Sequence, residues 1–381
     1  MRSPVVLLVG TLILAACNPV TTPAIRSASP VPSGPTASVP LAVGDQLQDL
    51  AVRIVQDGAP GVILEATIER ATLTATAGLA DIGTARVIAS SDPFRIGSLT
   101  KTFTAALSLL LAEDGTLRLS DSVENLLPGV VPNGSRISVQ MLLNQTSGLF
   151  DYADDPQVFG VYETDPSYVW EPGRLIQIAT SHPPLFSPGD RWAYSNTNYI
   201  VLGRILEAVT EKPLDRLLTE RLFAPFGLAE TQLATNAELP AGGVHGYLID
   251  PGGRLADSSA IDPSQGWAAG GIVSTLADVT RFYAALLGGQ ILDSDHLEMM
   301  LRTVPADDPL IRAYGLGIYE HEVDCGLVWG HDGEIFGYQT FAFASRTGDR
   351  TLVAMVNQPD NPWWLAPAAN LVFCGESAAG Q

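Results

Sequence analysis

The chain has 381 residues, 46% of them hydrophobic and 16% charged, a composition that buries a sizeable core in one large domain or two packed lobes and excludes a disordered protein. With 21 basic against 41 acidic residues the formal charge is −20, which opposes nucleic acid or an anionic membrane surface as partner. The five histidines, His182, His245, His296, His321 and His331, are scattered and no CxxC or HExxH spacing occurs, so no metal site and no cofactor is expected.

Residues 1–17, MRSPVVLLVGTLILAAC, carry one early arginine, an apolar stretch of fourteen residues from Pro4 to Cys17, and small residues just before the cysteine. The stretch is too short to span a bilayer as a lasting helix and reads as an export signal. LAAC resembles the lipobox of bacterial lipoproteins, in which Cys17 becomes the lipidated first residue and anchors the protein to the membrane; the same residues also fit a plain secretory signal. Both readings put the mature protein outside the cytoplasm. Residues 18–42, rich in Pro, Ser, Thr and Ala, read as a disordered tether, with the folded unit running from near Val43 to 381. Setting Cys17 aside leaves Cys325 and Cys374, a pair that in an oxidising compartment is expected to form a disulfide, with two buried free thiols as the alternative.

Two β-rich runs, GVILEATIER and ATLTATAGL, precede a helix opened by Ser98. On it Phe103, Leu107, Leu110 and Leu111 fall at i, i+4, i+7 and i+8, a core-facing stripe ended by Asp114-Gly115. From roughly 116 to 267 the pattern is mainly helices and loops. Then AYGLGIYEH, LVWGHDG, YQTFAFAS and RTLVAMVNQ read as short strands separated by turns, and PWWLAPAANLVF as a final helix. Strands at both ends with helices inserted between them predict an α/β (α+β) fold: an antiparallel sheet built from both chain ends, flanked by helices, beside a mainly helical lobe. The cleft between them is the natural site.

The chain contains 19 arginines and only two lysines, Lys101 and Lys212, so a lysine at the head of an apolar helix is conspicuous. An ammonium can lose its proton when desolvated; a guanidinium in a protein does not. Ser98 and Lys101 stand at i, i+3 and share a helix face. A neutral Lys101 amine there is placed to take the Ser98 proton, and first-turn backbone N–H groups point to where an oxyanion would form. A helix cap with a solvated lysine satisfies the same residues. SPGDRWAYSNTNY, with Tyr194, Ser195 and Asn196, and GHDGEIFGY, with His331, Asp332 and Gly333, are the other polar clusters. Read singly, the first is a cap for the helix that follows and the second a polar edge turn.

In order, SLTK, YSN and HDG resemble the three signature elements of the penicillin-interacting serine hydrolases: SxxK, YxN, and Lys or His followed by x-Gly. The pattern is most similar to the exported D-alanyl-D-alanine carboxypeptidases that use HTG, grouped with class C β-lactamases and related esterases. It extends over roughly 43–378 through FRIGSLTK, LLNQTSGL, AYSNTNY, the AAGG segment, YGLG, GHDGEIFGY and the two late cysteines. The resemblance implies a β-lactamase/transpeptidase-like fold and a metal-free acyl-enzyme. It makes Ser98 the nucleophile, Lys101 its proton-handling neighbour and Tyr194 a general base and later acid. Asn196 would hold the acyl amide, His331 and Gly333 would lie on the strand walling the cleft, and the backbone N–H groups of Ser98 and Glu334 would form the oxyanion hole.

Two positions depart from the carboxypeptidase pattern. Where those enzymes carry a hydroxyl in HTG and an arginine after the YGLG-like strand to bind a peptide's terminal carboxylate, this chain has Asp332 and Tyr319. Two carboxylates about 4 Å apart at an effective dielectric near 20 repel by roughly 4 kcal/mol, about a thousandfold in affinity. The expected substrate is therefore a peptide, amide or ester without a carboxylate next to the scissile bond, and an ionised Asp332 suits a free amine. The acidic loop DYADDPQVFGVYETDPSY either reinforces that preference or is a solvated surface. If His331, Arg312 or a proton neutralises Asp332, D-alanyl-D-alanine carboxypeptidase activity survives. A non-catalytic binder or sensor of cell-wall peptides is the reading from another class.

Overall fold

The computed structural model describes residues 39–68, 70–308, 311–358 and 362–375. The signal, Cys17 and the tether up to residue 38 lie outside the described residues. The boundary drawn near Val43 moves back to Val39, because the first helix is Val39–Gln56. Pro40 falls in its first turn, where a missing backbone N–H leaves no helical bond unmade. Val43, Leu47, Leu50, Ala51 and Ile54 recur at helical spacing and are buried, each large side chain contributing roughly 1.5–3 kcal/mol.

Nine antiparallel strands form the main sheet, in spatial order 86–87, 71–81, 61–68, 350–356, 338–344, 326–335, 319–323, 313–314 and 304–305. The two ends of the chain meet inside it: Gly61–Ile68 pairs with Arg350–Val356, Val62 opposite Val356 and Ile68 opposite Arg350. In this register Val62, Leu64, Ala66 and Ile68 face a core closed by the first helix and by the last, Leu365–Cys374. Ile63 and Met355 face the opposite core, against helix Leu276–Leu287. Helices on both faces explain why the late strands read as continuous apolar runs and not as alternating ones.

The helix headed by the SxxK element, Thr100–Glu113, is more deeply placed than its apolar stripe predicts. Thr100 through Leu109 are all buried, while Leu110 sits at the edge of the core. Burial all round is tolerated because the hydroxyls find partners. Thr102 donates to the Gly317 carbonyl at 2.7 Å, Thr104 to Ala268 at 2.8 Å, and Thr100 accepts from the Ile272 N–H at 3.1 Å. Phe103 stacks on Phe282 with ring centres 3.7 Å apart, locking this helix to the one that backs the sheet.

The stretch 116–267 consists of helices and loops but also holds a hairpin, Tyr247–Ile249 with Leu255–Asp257, and Gln232–Leu233, which joins Phe94–Arg95 and Ile272–Ser274 in a second small sheet. Strands of two or three residues are too short to show an alternation, so their sequences carried no signal.

Cys325, in the turn before strand Gly326–Ile335, is disulfide-bonded to Cys374, the last residue of the final helix. The bond closes a sequence separation of 49 residues and ties that helix to the sheet. Cys374→Ser is expected to lower the unfolding free energy by about 2–4 kcal/mol. Urea unfolding with and without reductant measures this, and an unchanged midpoint would refute it.

Candidate active site

Gly97–Leu99 forms one tight helical turn that runs straight into Thr100–Glu113, placing Ser98 at the joint. The wholly buried Lys101 side chain turns back to it, with Nζ 2.9 Å from Ser98 Oγ. Nζ also donates to Asn196 Oδ1 at 2.7 Å and to the Ala269 carbonyl at 2.8 Å, and lies 4.8 Å from the centre of the Tyr194 ring. Tyr194 lines the same cavity as Ser98. The structure thus brings together the four residues drawn from the first two motifs.

Burial pushes the Lys101 pKa down to about 7, against the opposing pull of Asp151 and Asp332. Burial also pushes the Tyr194 phenol well above 10, reinforced by Tyr314 and Asp332 and only partly offset by the nearby Ser98 hydroxyl. Near neutral pH Lys101 is therefore the group able to shed and regain a proton, and Tyr194 stays a phenol. A neutral amine has two N–H groups and one lone pair. With Asn196 Oδ1 and Ala269 O accepting the two, the lone pair is left for the Ser98 hydroxyl.

The YSN turn is gripped by residues 145–152. Gln145 Oε1 accepts from the Ser195 N–H at 3.1 Å, and Asp151 Oδ2 accepts from the Asn196 N–H at 3.0 Å and from its Nδ2 at 2.9 Å. The Thr197 hydroxyl donates to Phe150 O at 2.7 Å and accepts from Tyr152 N at 3.1 Å. Ser195 precedes helix Asn196–Thr210 without capping it; its hydroxyl points to Phe150 O at 3.3 Å. The amide of Asn196 has one hydrogen on Asp151, leaving a second for a substrate. Gln145 and Asp151 were not singled out from sequence. Asp151 opens the acidic loop and read there as one more charge, whereas it is 6% exposed. The available signal was an acid directly after the apolar Leu149-Phe150. Elsewhere the loop buries Tyr152, Val158 and Tyr162, while the acidic Asp155 makes a surface contact with His182 at 2.9 Å.

Strand Gly326–Ile335 walls the site. Gly97 adopts φ +54°, and a β-carbon there would stand 2.7 Å from the Glu334 nitrogen; one on Gly333 would stand 3.0 Å from the Ser98 nitrogen and 2.2 Å from the Ile96 carbonyl. The two glycines let the backbones of Ser98 and Glu334 lie side by side. Alternation along the strand turns His331 inward and Asp332 outward. The His331 ring is buried, with Nδ1 2.6 Å from the Asp332 carbonyl and Nε2 2.9 Å from the Tyr314 hydroxyl, and its pKa is pushed down to about 4 by burial. His331 and Gly333 both lie on this strand, and the His331 ring is not part of the cavity lining.

Asp332 opens into a cavity of about 350 Å³ that Ser98, Tyr194, Tyr319, Glu334 and Phe341 also line. The Tyr319 hydroxyl donates to Asp332 Oδ1 at 3.1 Å, so the two departures from the carboxypeptidase pattern are one contact. A neutral His331, whose Nδ1 hydrogen serves the backbone, gives Asp332 no counter-charge. Arg312 lies instead 3.9 Å from Glu322 at the surface. Glu334 is pushed above its usual range by burial and then by the Asp332 charge. Among the described residues lining the cavity there is no lysine or arginine. Away from the cleft, Glu113, Asp293 and His296 bring three potential ligand atoms within 4.8 Å of one another, but His296 already hydrogen-bonds Asp293 at 2.9 Å.

Fold and site define a serine hydrolase built on the β-lactamase/transpeptidase scaffold. The β-lactamase family profile matches residues 45–371, and the chain belongs to that family. It is 34% identical to a D-stereospecific amidohydrolase from Streptomyces sp., covering 88% of this chain and 98% of that one with a TM-score of 0.78. It is 28% identical to the D-amino acid amidase of Ochrobactrum anthropi SV3, solved with L-phenylalanine amide, covering 83% and 91% with a TM-score of 0.75. Among curated proteins, penicillin-binding protein 4* of Bacillus subtilis is 26% identical and the D-aminopeptidase of Brucella anthropi 27%, each over 74% of this chain; the chain spans 65% and 52% of their lengths.

The Lys101 shift has a direct readout. Below pH 7 the amine is protonated and cannot accept from Ser98; above it the neutral form dominates. The rate of Ser98 labelling by a fluorophosphonate is expected to climb through an acid limb near pH 7 and level off above it. Intact-mass kinetics across pH 5–10 would show this, and a flat profile would contradict it.

Proposed function

We propose that the protein is an exported amidohydrolase, held at the outer face of the membrane through Cys17, that works through a Ser98 acyl-enzyme on amides whose acyl portion carries a free amine. Substrates with a carboxylate beside the scissile bond are disfavoured. The observation that carries this reading is the Tyr319–Asp332 contact in a cavity shared with Ser98 whose described lining holds no lysine or arginine and whose one histidine, His321, burial pushes toward the neutral form. An ammonium entering there is attracted by Asp332 and Glu334; a carboxylate is repelled by both and finds no lysine or arginine to offset them. The D-amino acid amidase and D-stereospecific amidohydrolase similarities support amide cleavage and, through those names, an acyl residue of D configuration. Phe341 and Leu365 in the cavity wall suit an apolar side chain.

In this mechanism Ser98 Oγ attacks the amide carbonyl carbon while its proton passes to the Lys101 lone pair. The oxyanion is received by the backbone N–H groups of Ser98 and Glu334. Lys101 returns the proton through the Tyr194 hydroxyl to the amide nitrogen, the C–N bond breaks and the amine leaves. Water then attacks the ester carbonyl, giving a proton to the Tyr194–Lys101 pair, and the Ser98–acyl bond breaks as Oγ regains its hydrogen. The base role that the family pattern assigns to Tyr194 falls to Lys101, because burial makes phenolate formation unfavourable and amine formation favourable.

The test is a panel of D- and L-phenylalanine amide, N-acetyl-D-phenylalanine amide, a D-Ala-D-Ala peptide and benzylpenicillin. The free-amine D-amide is expected to lead in kcat/KM, and Asp332→Thr to shift the ratio of D-Ala-D-Ala peptide to D-amide turnover up by as much as about a thousandfold. Wild-type preference for the D-Ala-D-Ala peptide would overturn the assignment, and turnover or adduct with none of them would favour a binding protein.

A further inference from the structure

Asp151 is a buried carboxylate that the mechanism above does not use. It forms no ion pair among the described residues; its charge is met by N–H groups alone, those of Asn196 backbone and side chain through Oδ2 and of Ala153 at 3.0 Å through Oδ1. Asn196 in turn accepts from Lys101. A continuous line therefore runs from Asp151 Oδ2 through the Asn196 amide and Lys101 Nζ to Ser98 Oγ.

We propose that Asp151 is a positioning residue that fixes the rotamer of Asn196 and, through it, the aim and basicity of the Lys101 amine. The inference rests on the Ser98–Lys101 acyl-enzyme reading. An asparagine amide is nearly symmetric in shape, and only its partners decide which end faces which way. Turned over, Asn196 would set Oδ1 against the Asp151 carboxylate and Nδ2 against the Lys101 amine, two like-with-like contacts. With the carboxylate in place one orientation survives, and Lys101 is held by Asn196 and Ala269 so that its third direction is Ser98.

The charge acts in the same sense. Lys101 is faced by the rings of Tyr194 and Tyr199, by neutral His331 and by two carboxylates, Asp332 and Asp151. Burial raises the Asp151 pKa, the N–H groups of Asn196 and Ala153 and the Lys101 charge oppose that rise, and Asp154 adds to it, while the neighbouring Tyr152 phenol is kept neutral by burial. When Lys101 takes the Ser98 proton, Asp151 is the enclosed negative charge one amide away, and it favours the ammonium that forms. Without it, desolvation acts with less opposition and the amine becomes a weaker base.

The experiment compares the full chain with Asp151→Asn and Asp151→Glu by fluorophosphonate labelling of Ser98 across pH 5–10. For Asp151→Asn the plateau rate is expected to fall about 100-fold and the acid limb to move about one pH unit lower. A merely structural role would slow labelling without moving the limb. Asp151→Glu, which keeps the charge on a longer arm, should hold the limb near the wild-type pH with a plateau lowered about tenfold. A folded Asp151→Asn protein whose limb has not moved overturns the inference. If that variant does not fold, Asp151→Glu decides: a plateau equal to wild type, or a limb shifted downward, overturns it. Wild-type protein that takes no label at any pH overturns the acyl-enzyme reading itself, a result distinct from an unmoved limb.

Discussion

The structure depends on keeping one lysine away from water. An ammonium with pKa 10.5 brought to about 7 has been disfavoured by on the order of 5 kcal/mol relative to the solvated state. Water is excluded by a helix buried on every side, the Tyr194 and Tyr199 rings and the Ala268–Ala269 segment. That same segment supplies the carbonyls that receive Lys101 and Thr104. Packing and chemistry share these contacts, because a loosely packed site would let water restore the proton and silence the serine.

The sheet contributes a second constraint, close approach of two backbones. Ser98 and Glu334 come from segments far apart in sequence and meet only because Gly97 and Gly333 carry no side chain. The strand that supplies Glu334 also presents Asp332 to the cavity, so one element sets both the close backbone approach and the acidic wall. Tyr319, from the neighbouring strand, holds Asp332 in place as a neutral donor.

Much of this was legible in the linear chain. The apolar runs at both ends declared a sheet closed by the termini, and a lysine in an arginine-rich protein marked the reactive helix. Three short motifs in fixed order pointed to the family. The parts that were not legible share a reason. Gln145 and Asp151 act by reaching the YSN turn about fifty residues away, and the one local signal, an acid after Leu149-Phe150, does not say that the carboxylate grips an asparagine in the interior. His331 stands in a motif, yet its ring is turned from the cavity because side chains alternate along a strand and the register assigns the outward place to Asp332.

The sequence by itself determined which chemistry is available: one hydroxyl and one amine a helical turn apart, a phenol and an amide to join them, and an acid where related enzymes carry a hydroxyl. Residue type and short-range spacing are properties of the chain, so these could be read without coordinates. Only the tertiary structure decided the protonation states, with Lys101 poised near neutral pH and Tyr194 and His331 held neutral. Proton affinity follows from how much water and how many charges surround a group, and that surrounding exists only once distant segments have packed together.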